Sequence, residues 1–255
     1  MSLARARSEP RRARRELVLT WAACVALLAL AKGLSLIEPT GLLAGNIAGV
    51  AAFLFVMLPE RHIHGAGERW TAFGLPWYGS ACSATWRAWL RGLGTALAVC
   101  AVVFPVFFAG YWAYGRALPH VPPWLSTRLS PYLGETAVRF RLPARFPLLV
   151  LVQLFVVAIP EELFYRGWMQ TTWAASRPER KVRVLGATLG AGFLWTQVLF
   201  ALGHLVVFQV WRLGTLFPGL LFGWLRARTG GLAVPIFVHA FANVFIAVLE
   251  ASFYG

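Results

Sequence analysis

One apolar run of the sequence, LLVLVQLFVVAIPEELFYRGWMQ, holds Glu161, Glu162 and Arg166 among Leu, Val, Phe and Ile. An ionisable group inside a membrane span costs at least a few kcal/mol, so such residues mark function and need partners. Helical geometry tells the two carboxylates apart. Glu162 and Arg166 stand four residues apart on one face and can pair as carboxylate and guanidinium. Glu161 lies about 100° round the helix and keeps its carboxylate for another task. Pro160 removes a backbone donor just before them, so a kink or helix start there would expose polar groups to a cavity. The bland alternative is that the three neutralise one another or sit at the membrane surface.

Two further apolar runs carry polar groups at one-turn spacing: Phe200 and His204 in FALGH, and His239 and Asn243 in HAFAN. A lone intramembrane His is more often a hydrogen-bonded packing residue than a catalyst. Two histidines, an unpaired Glu and an amide on three separate helices make a different case, because a helix bundle can bring them to one polar pocket. His62, His64 and His120 fall in expected interfacial or loop segments, apart from this set.

The ordered set Glu161-Glu162-x-x-x-Arg166, Phe200-x-x-x-His204 and His239-x-x-x-Asn243 resembles the three motifs of the CPBP intramembrane protease family, which includes the type II CAAX prenyl endopeptidases. The resemblance covers roughly residues 146–251, the rest matching only in being helical and hydrophobic. It implies that Glu161 is the water-activating carboxylate and that His204, His239 and Asn243 complete the site, with Glu162, Arg166 and Phe200 in support. No HExxH, GxSxG or rhomboid-like GxSG motif occurs and no Cys stands beside a His, which points to water as the nucleophile. Glu161 would then be its base, with His204 assisting. His239 and Asn243 would donate to the developing oxyanion, worth typically about 3 kcal/mol per donor. A metal version uses Glu161, His204 and His239 as ligands to Zn²⁺ with a position left open for water. The metal-free version, with no cofactor, is favoured because no single helix offers a paired ligand motif.

The same cluster would serve a non-catalytic membrane scaffold or maturation factor that docks a client. In a proton-coupled carrier, Glu161 and His204 would form a relay, but carriers often show paired repeats and broken helices in both halves, and this chain shows no such symmetry.

The positioning elements follow from composition. Of 255 residues 58% are hydrophobic and 13% charged, with 12 Trp, which is a membrane composition. The expected fold is an all-α, polytopic transmembrane helix bundle of about seven spans with an intramembrane active-site cavity. The spans are roughly 17–37, 41–59, 91–115, 146–172, 184–208, 213–228 and 232–251, by the length needed to cross a bilayer. Residues 1–16 form a basic cytoplasmic tail, 17–145 the N-terminal helices with an interfacial segment at 60–90 and a Pro-rich linker or lid at 116–145, and 146–255 the catalytic core. One conflict of depth arises: Glu161 is nearer the expected turn at 174–183 than His204 is. Either the fifth helix opens with an interfacial stretch or the turn lies elsewhere.

The net charge of +14 is almost wholly Arg, much of it in the joins between apolar runs, which suggests anionic lipid headgroups and not nucleic acid as the partner. All ten acidic residues are Glu, so an aspartate-pair protease is excluded. Cys24, Cys82 and Cys100 have no CxxC spacing and read as packing residues. The four-residue spacings of Gly41, Gly45 and Gly49, of Gly186 and Gly190, and of Gly219 and Gly223 read as close helix contacts. The basic N-terminus ahead of an uncleaved apolar run places that end in the cytoplasm. Strict alternation then puts the basic 116–145 loop outside, against the positive-inside rule. The Ala-, Arg- and Leu-rich composition with scant Lys suggests a bacterial inner membrane. The substrate is then a protein or peptide in the membrane, a myxosortase-like trimming of C-terminal sorting tails being one candidate.

Overall fold

The computed structural model describes residues 3–75, 82–129, 138–177 and 181–254, and the side chains of all of these but 82–85, 127, 128 and 254. Parts of the expected interfacial segment (76–81, with Trp77) and of the polar loop (130–137) lie outside the described residues, as does the side chain of Cys82. The chain is an all-α membrane bundle with one small hairpin. A short helix α1 (Leu3–Ser8) leads into α2 (Pro10–Leu34), α3 (Leu42–His64) and α4 (Cys82–Ala117). After α5 (Pro123–Leu129) comes α6 (Phe146–Ser176), then strands β1 (Val182–Val184) and β2 (Ala187–Leu189). The chain ends in α7 (Ala191–Gly203), α8 (Leu216–Thr229) and α9 (Ala233–Tyr254).

Among the described residues, five helices are long and apolar enough to cross a membrane: α2, α3, α4, α6 and α9. The fifth and sixth expected spans are shorter. Residues 182–189 are not helix, because Leu185 and Gly186 both take positive φ and turn the chain into an antiparallel pair, Val182 opposite Leu189. Such a two-residue turn suits a hairpin and ends any helix. Helix α7 therefore starts only at Ala191, and the depth conflict disappears. From Glu161 to the end of α6 is about as far as from Ala191 to His204, so the two residues lie level.

The elements alternate in direction, so the joins sort into two ends. One end gathers the arginines of α1 and early α2, Arg61, Arg69, Arg87, Arg91, Arg177, Lys181, Arg183, Arg226 and Arg228. The opposite end holds Lys32, Arg116, Arg139, Arg141, Arg145 and Arg212. The basic N-terminus is helical and docked, not loose: the Leu3 amide donates to Glu68 Oε1 at 2.7 Å, and Arg14 to the Ser176 carbonyl at 3.1 Å.

A core of buried side chains, among them Leu17, Cys24, Ile63, Phe73, Phe164, Trp168 and Phe200, joins α2, α3, α6 and α7. Trp70 and Phe73, expected in an interfacial segment, instead form a 3₁₀ turn packed on this core. Gly74 ends that turn at φ +89° and accepts a hydrogen bond from the Leu232 amide at 2.8 Å, tying it to the start of α9. Of the glycine spacings, Gly41, Gly45 and Gly49 have no atom within 4 Å of where a Cβ would stand, so they pack against no helix here. Gly186 is the turn residue of the hairpin.

A Cβ on Gly74 would stand 2.6 Å from the Arg226 guanidinium carbon, in a backbone conformation that costs an L-residue roughly 1–2 kcal/mol. Gly74→Ala should therefore lower the melting temperature in detergent, while Gly45→Ala should leave it unchanged or raise it. Equal melting of the two variants would contradict the tie between the 3₁₀ turn and α9.

Candidate active site

Helix α6 is uninterrupted through Pro160, but π-helical turns at Gln153–Ala158 and Leu163–Met169 flank the four residues Ile159–Glu162. A proline ring clashes with the carbonyl four residues earlier, and a widened turn relieves that clash without breaking the helix. Glu161 and Glu162 sit between the two widened turns.

Glu162 is fully buried and accepts two hydrogen bonds at Oε1, from Arg166 at 2.8 Å and from His239 Nδ1 at 2.8 Å. Arg166 is fully buried as well. Its guanidinium also donates to Gln197 Oε1 at 2.9 Å and to the Gly219 carbonyl at 3.2 Å. The Phe200 ring packs 4.1 Å beneath it. Gln197 donates in turn to Gln170 Oε1 at 3.1 Å, and Gln170 to the Gly223 carbonyl at 3.0 Å. The network thus runs from α9 through α6 and α7 to α8. It also explains the third glycine pair. A Cβ on Gly219 would stand 3.0 Å from Phe200 and 3.4 Å from Arg166, and one on Gly223 would stand 2.4 Å from Gln197 Nε2. These two glycines let the α8 backbone reach buried donors.

Glu161 is turned elsewhere. With His204 it lines a cavity of about 180 Å³ whose walls include Leu28, Ala51, Phe55, Tyr165 and Arg212. Glu161 Oε2 is buried without a hydrogen-bond partner. His204 Nδ1 lies 2.8 Å from the Phe200 carbonyl. A carbonyl only accepts, so Nδ1 carries the hydrogen and Nε2 is the nitrogen left for other chemistry. Arg212 stacks on Trp211 at 4.4 Å and donates to Gln209 at 3.2 Å. Among the described residues it has no carboxylate within ion-pair distance.

The structure brings the sequence-selected residues together unequally. Glu161 and His204 share the cavity. His239 touches both carboxylates, with Nδ1 on Glu162 and Nε2 3.8 Å from Glu161 Oε2, but it is not on the cavity wall. Asn243, one helical turn beyond, donates to Gln153 Oε1 at 2.9 Å and is not on that wall either. His239 thus directs Nδ1 at Glu162, and Asn243 directs one of its two amide hydrogens at Gln153. Among the described residues no group of three or more His, Cys, Asp or Glu is disposed to hold a metal ion. His239 Nδ1 on Glu162 leaves Nε2 directed at Glu161, so Glu161, His204 and His239 keep the donor types that a Zn²⁺ site uses without being drawn together as one.

Sequence reasoning missed Gln153, Gln170 and Gln197, although an amide in an apolar helix is a signal in itself. It also missed Arg212 and the wall supplied by Leu28, Ala51 and Phe55 of α2 and α3, for which no motif exists.

Residues 143–245 match the family model described as type II CAAX prenyl endopeptidase Rce1-like. No curated protein and no solved structure matches the chain. The family match supports an intramembrane endopeptidase of the CAAX type in general.

Removing Arg166 would leave Glu162 buried without its cation, a change that costs about 3–5 kcal/mol. Arg166→Ala should therefore melt well below the parent in detergent, whereas Glu161→Gln should melt close to it. Thermal unfolding by intrinsic Trp fluorescence reads both, and a stable Arg166→Ala would contradict the network.

Proposed function

We propose that this chain, which carries an Rce1-like domain in residues 143–245, hydrolyses a peptide bond of a membrane-associated or C-terminal-tail protein by water activated at Glu161. The observation that carries the reading is the different treatment of two adjacent carboxylates. Glu162 is locked by Arg166 and His239, while Glu161 lines a cavity with His204, its Oε2 making no hydrogen bond and lying 3.8 Å from His239 Nε2. A carboxylate so placed can take a proton from a water that attacks the scissile carbonyl. His204, whose Nε2 carries no hydrogen at rest, is placed to take that proton from Glu161 and pass it to the departing amine, which returns both residues to their starting forms. His239 orients Glu162 and lies behind Glu161, a positioning role.

The negative charge that develops on the carbonyl oxygen needs a partner. Arg212 is the cation on the cavity wall, and it supplies that charge in this account. All of these steps use side chains of this chain, and none requires a metal.

The segregation of arginines supports a cytoplasmic arginine-rich end, in contact with anionic headgroups, and with it a cytoplasmic N-terminus. The basic loop at 116–145 then faces outward against a larger excess of positive charge inside, so it does not contradict that orientation. The composition supports placement in a bacterial inner membrane.

Comparing protein termini in membranes with and without the active chain identifies clients and gives a cleavage assay. Glu161→Gln should lower that cleavage by at least about a hundredfold while expression holds, the range expected for loss of a general base. Arg212→Gln should lower kcat by roughly ten- to a thousandfold with a smaller change in KM, as loss of an oxyanion partner does. Wild-type processing by Glu161→Gln would leave the chain a non-catalytic scaffold that docks its client. A pure KM effect in Arg212→Gln would move Arg212 from the reacting centre to substrate binding.

A further inference from the structure

At the arginine-rich end, the end of α6, the start of α7 and the end of α8 surround a second cavity, of about 260 Å³. Arg177, Lys181 and Arg226 stand on its wall, and among the described residues no acidic side chain does. Thr171 and Thr188 add hydroxyls. Like charges gathered round one recess repel, and repulsion in a partly desolvated site is screened less than at a free surface. The Lys181 ammonium makes no hydrogen bond or ion pair with a described residue that would offset it. Arg226 donates through Nη2 to the Phe73 carbonyl at 3.1 Å and to Thr171 Oγ1 at 3.2 Å, which fixes the guanidinium and leaves Nη1 without a partner among the described residues.

Gly190, Ala191 and Gly192 bring the N-terminus of α7 to the same wall. The first amides of a helix have no partner within it, and here no side chain caps them. They form the positive end of the helix dipole, the end that holds anions. Donors thus converge on the cavity from a guanidinium, an ammonium, hydroxyls and a helix start. A tetrahedral oxyanion, with acceptors pointing several ways, matches such a set. The depth is that of the headgroups: Trp195 near the start of α7 is half exposed, and Trp224 near the end of α8 donates to the Val184 carbonyl of the hairpin at 3.0 Å. Tryptophans so placed mark the membrane–water interface.

We infer that this cavity binds a phosphate group, carried by an anionic lipid headgroup or by a soluble phosphate compound. Lys181 and Arg177 supply charge, Arg226 and the two threonines donate to phosphate oxygens, and the start of α7 holds a further oxygen. Gln170 stands on the same wall and ends the hydrogen-bond chain that runs through Gln197 to Arg166. A phosphate bound there braces α6, α7 and α8 where the buried network stops. The site is apart from the Glu161 cavity and does not depend on the reaction performed there.

Thermal unfolding of the purified full chain in detergent reads the binding, because a ligand held only by the folded state raises the midpoint. One arm titrates inorganic phosphate against chloride of equal ionic strength. The other titrates mixed micelles of phosphatidylglycerol against micelles of phosphatidylcholine. A saturable rise is expected, and Lys181→Gln, a change at an exposed side chain, should weaken the apparent affinity at least about tenfold, as loss of a hydrogen bond to a charged group does. Arg61→Gln removes the same charge from an exposed position at that end but off the cavity wall, and should leave the affinity within about twofold. A rise with inorganic phosphate supports the site with a soluble compound as its ligand, and a rise with phosphatidylglycerol alone supports it with a lipid headgroup. Unchanged affinity in Lys181→Gln, or equal weakening by Arg61→Gln, reduces the effect to general surface charge and overturns the inference. So does the absence of a rise with both probes.

Discussion

Everything in the site depends on how a guanidinium is kept inside an apolar bundle. Arg166 is fully buried, so each donor it leaves unmatched carries a large desolvation penalty. Glu162 supplies the counter-charge, Gln197 and the Gly219 carbonyl take further donors, and Phe200 covers one face of the ion. The match is incomplete, since Arg166 Nε and Glu162 Oε2 stay unpartnered. A fixed ion pair in a low-dielectric interior still holds α6, α7, α8 and α9 in one register. A second carboxylate on the next residue can then stay uncommitted. The motif's two adjacent glutamates are one structural anion and one chemical one.

The shape of the cavity follows from an equally simple constraint of length. Helices α2, α3, α4, α6 and α9 are long and apolar enough to span the bilayer, while α7 is shorter and its last turns, like the first of α8, are 3₁₀. The residues of α7 surrendered to the hairpin bring His204 to the level of Glu161, where the two line one cavity. Helices α2 and α3, which carry none of the catalytic motifs, close its side with Leu28, Ala51 and Phe55. The N-terminal helices are therefore part of the site.

The long spans were legible because some twenty apolar residues between Arg, Pro and Gly clusters admit few other structures in a membrane protein. The Glu162–Arg166 pair was legible from its four-residue spacing, and the polar cluster from the cost of each member alone. What sequence could not show was rotation and depth. The π turns around Ile159–Glu162 shift every later side chain of α6, and nothing in the residue pattern announces them. Residues 184–189 read as the start of a span because their apolar content masked a Leu185–Gly186 turn. His239 and Asn243 were correctly placed on one helical face. Yet one turn of rise between them sends the first to the glutamates and the second to Gln153.

The central claim is the separation of roles between neighbouring carboxylates, and two double-mutant cycles on unfolding free energy in detergent measure it directly. The first cycle combines Glu162→Gln with Arg166→Met, the second Glu161→Gln with Arg166→Met. The account predicts a coupling of at least about 1–3 kcal/mol in the first cycle and additivity within about 0.5 kcal/mol in the second. Strong coupling of Arg166 to Glu161, with none to Glu162, would contradict it.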